Sequence, residues 1–356
     1  MLFALLRASL HKKEIEKSFF TDVSDEEWQK CYRLAAIQGV MALAWDGVRM
    51  LPEELLPLPG IKLSWAMGVD AYEKKYCRYC QVANEISGLY ARYGIATMAL
   101  KGVGFSTLYP VPSHREGGDI DIYTYSADKN KMNDEEANHL ADKVMEELGV
   151  SVNTESYKHS NFYYKGIPIE NHKCFLNVKD YCNAVMVDNQ LKELMHPQLV
   201  SLGNGEIMVP SATFNTLFIA FHAVQHYGSG LALHHLCDWA VLISRFGLHV
   251  PDGVKDKRFL NAISALTVLC NTYLGTSVKV VEDDGLAGEM LNEILHPRYS
   301  PKTATPNSKV GILIYKIKRM FYEQRLKSRV VDTSLAGRLW DSVLFHLRKP
   351  ESIFGI

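Results

Sequence analysis

Apolar residues recur along this chain with two different periods, and the changes of period divide it into three stretches. From residue 1 to 94 the spacing is helical. The segment "SDEEWQKCYRLAAIQGVMALAWDGVRML" places Ser24 three residues before Glu27, a capping-box pair, and then keeps apolar side chains on one face. "LPEELLPLPG" interrupts it, and a second long helix is expected over "IKLSWAMGVDAYEKKYCRYCQVANEISGLYARYG", closed by Gly94.

The period then falls to two. "IATMAL" (95–100) reads as a short buried strand and "DIDIYTY" (119–125) as an alternating one. Asn133 and Glu136 cap a helix that ends at Gly149. "VSVNTES", "NFYYKG" and "IPIENHKCFLNV" read as strands, the last two joined through Gly166 as a hairpin. From Ser211 the helical period returns in four segments, the first two closed by Gly228 and Gly247. The expected fold is α+β: a small mixed β-sheet core at 95–200, flanked by an N-terminal helical region at 1–94 and a C-terminal helical bundle at 201–356. A ligand is expected in the cleft between sheet and bundle.

Composition narrows the function classes. With 356 residues, 47% hydrophobic, 22% charged and a formal charge of −1, the chain has the make-up of a soluble globular protein. The near balance of charge argues against a surface built throughout for nucleic acid. The apolar start is too short for a signal peptide and no apolar run approaches the ~20 residues that span a bilayer, so a cytoplasmic location is expected, without a membrane partner. Seven scattered cysteines fit free thiols in a reducing compartment.

The chemistry concentrates in "LKGVGFSTLYPVPSHREGGDIDIYTYS" (100–126). In a strand, residues two apart face the same side, so Asp119 and Asp121 project together while Ile120 and Ile122 face the core. Two carboxylates this close repel, and burial strengthens the repulsion, so a cation is called for. Mg²⁺ or Mn²⁺ bridged by such a pair can hold a nucleotide's phosphates and polarise an attacking hydroxyl. By the same alternation Glu170 shares a face with Pro168 and His172 in "IPIENH", which makes it the candidate third acid from a neighbouring strand.

The run "LKG … LYP … R … GDIDI", the Glu-x-His strand and the tail "FHAVQHYGSGLALHHLCDWAVL" resemble the DNA polymerase β-like nucleotidyltransferase superfamily, and within it an uncharacterised bacterial nucleotidyltransferase family. The resemblance spans about 95 to 245. It implies that Asp119, Asp121 and Glu170 are catalytic and hold the metals, and that Glu170 helps to deprotonate the acceptor. Lys101, Gly102, Val103 and Arg115 would bind the nucleotide, with Gly102 at a helix N-terminus against the triphosphate. Val103 departs from the family pattern, which has a second glycine or a serine there. Lys101 and Arg115 have an equal alternative, ion pairing to the aspartates themselves. The implied reaction moves a nucleoside monophosphate from an NTP, with ATP the expected donor, to a hydroxyl of an unidentified acceptor.

His222 and His226 lie one turn apart on a helix, and His234, His235 and Asp238 follow on the next. Together with His172 they are candidates for an acceptor pocket. Satisfied polar core groups, or a zinc site formed by His226, His234 and Asp238, are the other readings of the helical residues. Cys77 and Cys80 form a single C-x-x-C and read as small residues on a helix face. Residues 309–329 are rich in lysine and arginine, with one acid and apolar residues near helical spacing; a solvated helix face is expected, and docking of an anionic acceptor such as RNA is the less favoured alternative. Two rivals to the transferase stand: a glycosyltransferase using Asp-x-Asp, disfavoured because a single strand precedes the motif, and a catalytically degenerate nucleotide-binding scaffold or toxin–antitoxin type partner.

Overall fold

The computed structural model describes residues 1–178, 183–281, 284–299, 308–337 and 339. The expected first helix divides into α2 (Asp25–Ile37) and α3 (Met41–Val48), preceded by α1 (Leu2–His11). The Ser24–Glu27 capping box forms as expected. The break is at Gly39, whose φ of +68° ends the helix and whose Cα lies so near Glu116 that a Cβ would come within 2.3 Å of its Oε2. The second helix, α4 (Pro59–Ala91), runs unbroken for 33 residues.

The sheet is larger than expected: seven strands in the order β3-β4-β5-β2-β1-β7-β6. They are β1 (Ile95–Ala99), β2 (Ile120–Ser126), β3 (Val152–Asn153), β4 (His159–Tyr164), β5 (Ile167–His172), β6 (Gln198–Leu202) and β7 (Gly205–Val209). The β6–β7 hairpin was not expected; it adds to the sheet through a parallel contact of β7 with β1. The stretch 150–156 contributes only the two residues of β3. A single turn, α5 (Val103–Ser106), follows β1, and α6 (Asp134–Glu147) and α7 (Ala184–Leu194) flank the later strands.

One sheet face, with Ile120, Ile122, Ile167 and Ile169, packs on α6 and the second half of α4. The other face meets α8 (Ala212–His226), where Phe175 lies edge-on to Phe214 and Tyr123 stacks obliquely on Phe175. Behind α8 stand α9 (Leu233–Phe246), α10 (Lys257–Leu269), α11 (Leu286–Leu295) and α12 (Lys309–Val330), which share one hydrophobic core with α1 and α3. On α12, Ile312 and Leu326 are buried, while Val310, Ile314, Ile317 and Phe321 line an exposed stripe. Cys80 is buried and Cys77 exposed on α4.

Candidate functional site

The aspartates are delivered by a loop that α4 holds along its length. Tyr72 donates its hydroxyl hydrogen to Glu116 Oε1 (2.5 Å), Lys75 its ammonium to the Gly117 carbonyl (2.7 Å) and Tyr79 its hydroxyl to the Gly118 carbonyl (3.0 Å). His114 is gripped between Asp46 (2.7 Å) and Glu73 (2.9 Å), whose carboxylates, working against the cost of burial, raise its pKa. Three rungs at helical spacing on α4 therefore fix the backbone just before Asp119. Gly102 closes the other side in a conformation that side-chain-bearing residues rarely adopt (φ 57°, ψ −121°), and a Cβ there would lie 3.2 Å from the Asp119 carbonyl.

Register then brings the acids together. β2 and β5 run parallel with Asp121 opposite Glu170, and β5 pairs antiparallel with β4 so that His172 faces His159. Asp121 is fully buried. Its Oδ1 lies 3.0 Å from His172 Nε2 and its Oδ2 2.8 Å from Lys101 Nζ, which is also 3.8 Å from Asp119 Oδ1. Glu170 Oε2 lies 3.6 Å from His172 Nε2 and 3.7 Å from His159 Nε2. Of the two expectations for Lys101, the ion pair with the aspartates is the one the molecule adopts. Ligand atoms of Asp121, Glu170 and His172 all lie within 4.8 Å of one another.

The environment splits the two aspartates electrostatically. Burial, and then the neighbouring Asp121 charge, raise Asp119 to about 6. Burial acts the same way on Asp121, but Lys101 and His172 outweigh it and hold that carboxyl below the usual range. On Glu170 the neighbouring His172, 3.6 Å away, likewise outweighs burial, and the pKa is lowered. Lys158, which the sequence patterns did not single out, stands within the field of Lys101, Asp121 and Glu170; burial, then Lys101, push its ammonium down. No ion pair engages Lys158 among the described residues.

Several predicted residues lie elsewhere or act differently. Arg115 is neither on the aspartates nor free for a phosphate: its Nε and Nη2 donate to Asp238 Oδ1 (3.0 Å) and Oδ2 (2.7 Å), and its Nη1 to the Glu116 carbonyl (2.9 Å). Tyr109 also donates to Asp238 Oδ1 (2.6 Å), so Asp238 is fully engaged and does not face an open pocket. His172 is buried beneath the carboxylates instead of lining a pocket. The proposed trio of His226, His234 and Asp238 does not form. His222, His226 and His235 converge instead, while His234 turns its Nδ1 to the Gln38 carbonyl (3.3 Å). His235 Nδ1 accepts the Ala232 N–H (3.1 Å), so Nε2 carries the ring proton and offers a donor, not a lone pair. Burial, followed by the Lys101 charge, drives His222 well below its ordinary value and His226 to about 4, so both rings are neutral at pH 7.

A family model described as "Uncharacterised nucleotidyltransferase" matches residues 24–275. The chain belongs to this family. No curated protein and no solved structure matches it. Lys101, the aspartates, Glu170 and the histidines of α8 and α9 all fall inside the nucleotidyltransferase span, whereas α12 lies outside it.

Proposed function

We propose that the chain transfers a nucleoside monophosphate from an NTP, ATP by expectation, to a hydroxyl of an acceptor, in the manner of polymerase β-like enzymes. The observation that carries this reading is the parallel register that sets Glu170 beside Asp121, two residues from the more exposed Asp119. The residues fit a divalent cation: ligand atoms of Asp121, Glu170 and His172, two carboxylates and an imidazole, lie within 4.8 Å of one another. When bound, Mg²⁺ or Mn²⁺ would supply charge neutralisation on the phosphates and polarisation of the attacking oxygen.

The chain's own groups do the rest. Glu170, held anionic by His172, is placed to accept the proton of the acceptor hydroxyl as its oxygen bonds to the α-phosphorus and the bond to the β-phosphate oxygen breaks, releasing pyrophosphate. Lys158 is the cation available for a phosphate, in the role that the sequence suggested for Arg115. The neutral His222 and His226 rings carry nitrogens that can hydrogen-bond an acceptor.

Incubation with each α-labelled NTP and Mg²⁺ or Mn²⁺ tests the reading. Label transfer to protein or added metabolites, or pyrophosphate release, should occur and disappear in Asp119→Asn and Asp121→Asn. Silence with every NTP, with no metal-dependent thermal shift, would favour the nucleotide-binding scaffold instead.

A further inference from the structure

His172 is fully buried, and among the described residues its two ring nitrogens have acceptors as their polar partners. Nδ1 lies 3.3 Å from the Cys174 carbonyl, which can only accept, so a ring proton belongs there. Nε2 then turns toward Asp121 Oδ1 at 3.0 Å and Glu170 Oε2 at 3.6 Å, two more atoms that can only accept. A lone pair and two carboxylate oxygens converging in a buried site need something positive among them. A proton on Nε2 satisfies one contact well; a divalent cation satisfies all three. Ligands ~2.0–2.2 Å from a shared ion stand at most ~4.4 Å apart, and one ligand atom from each of the three residues lies within 4.8 Å of the others, so the side chains need only draw inward to share one. An Nδ1–H donated to a carbonyl is also the arrangement that fixes a histidine's tautomer for metal binding through Nε2.

The other oxygen of Asp121 is engaged differently. The Lys101 ammonium stands 2.8 Å from Oδ2 and reaches toward Asp119, where a second protein-held ion would otherwise be placed. We infer that His172 is a metal ligand, that Asp121, Glu170 and His172 hold a single cation, and that the imidazole turns the site from Mg²⁺ toward Mn²⁺. Carboxylates alone serve Mg²⁺ as readily, whereas a nitrogen ligand favours transition ions. The inference rests on the metal-dependent reading above and sharpens it by naming the ligand set and the preferred ion.

Mn²⁺ titration of the metal-free full chain, with and without a non-hydrolysable ATP analogue, followed by electron paramagnetic resonance, is the test. One Mn²⁺ per chain is expected at the protein site, displaced only by at least about a tenfold excess of Mg²⁺ and showing electron-spin-echo modulation from a coordinated nitrogen. His172→Gln should weaken Mn²⁺ at least about tenfold and remove that modulation, with the circular dichroism spectrum unchanged. Because the nitrogen signal is read on the unaltered protein, a variant that fails to fold does not blunt the test. Mn²⁺ bound without nitrogen coupling, or exchanged by equimolar Mg²⁺, overturns the inference and leaves the transferase standing. No metal bound under either condition overturns both.

Discussion

Two buried cation–carboxylate pairs among the described residues, Arg115–Asp238 and Lys101–Asp121, are finished to different degrees. In the first, both Asp238 oxygens accept from the Arg115 fork, Tyr109 adds a third hydrogen bond, and the remaining arm of the guanidinium is taken by the Glu116 carbonyl. In the second, Lys101 is shared unevenly between two aspartates, 2.8 Å from Asp121 Oδ2 and 3.8 Å from Asp119 Oδ1, and Asp119 is raised to about 6. A saturated pair joins the loop before β2 to α9 and leaves no capacity for a ligand. An unsaturated one retains capacity that a ligand can use.

The sharpest way to break this contrast is to remove one member of each pair. Asp238→Ala leaves Arg115 charged, buried and unpaired, and should cost about 3–5 kcal/mol of unfolding free energy in urea titrations. Tyr109→Phe, which deletes a single hydrogen bond to the same carboxylate, should cost about 1 kcal/mol. Asp121→Asn should destabilise less than Asp238→Ala, because Asp119 remains to face Lys101. It should nevertheless lower nucleotidyl transfer by at least ~10³-fold, several kcal/mol of transition-state stabilisation. Equal destabilisation by the two aspartate variants would erase the distinction between a structural and a functional pair.

Lys158 extends the comparison to a cation with no ion pair at all among the described residues. Lys158→Gln should raise the KM for the NTP about tenfold, about 1.4 kcal/mol, with a smaller change in kcat. The melting temperature should hold, since no ion pair is lost. A normal KM would assign the phosphate contact elsewhere.

The carboxylates were legible in the sequence because strand alternation is local: it sets Asp119 with Asp121 and Glu170 with His172 on single faces before any tertiary contact is known. Their meeting needed only the parallel pairing of β2 and β5. What could not be read depends on distant partners. Arg115 meets Asp238, 123 residues away. Gly39 interrupts a helical pattern because Glu116 and His234 crowd it from other segments. Tyr72, Lys75 and Tyr79 look like any polar helix face until the loop they grip is placed across them. The β6–β7 hairpin did leave a signal, two alternating runs about Gly203, Asn204 and Gly205, a turn composition typical of hairpins. His172 was assigned to the right strand face and the wrong depth: it is fully buried, among Asp121, Glu170 and His159.

The smallest expected effect has the opposite sign to the others. Asp119 has its pKa raised to about 6 by burial first and by Asp121 second, from an ordinary 3.8. A carboxyl raised in the folded state holds its proton more tightly there than in the unfolded chain. Folding stability therefore declines as pH climbs from about 4 to about 6, and the full penalty is present at pH 7. Water reaching the side chain, which is 34% exposed, screens that penalty to about 1 kcal/mol. In metal-free protein, Asp119→Asn should then melt a few degrees higher than the unaltered chain at pH 7 to 8, and the difference should vanish near pH 4. Mn²⁺ should stabilise both proteins alike, because Asp121, Glu170 and His172, which hold the ion, are retained in each. If Asp119→Asn lowers stability at pH 7 without metal, as Asp238→Ala is expected to, Asp119 belongs with the saturated pair, and the strain attributed to the site is absent.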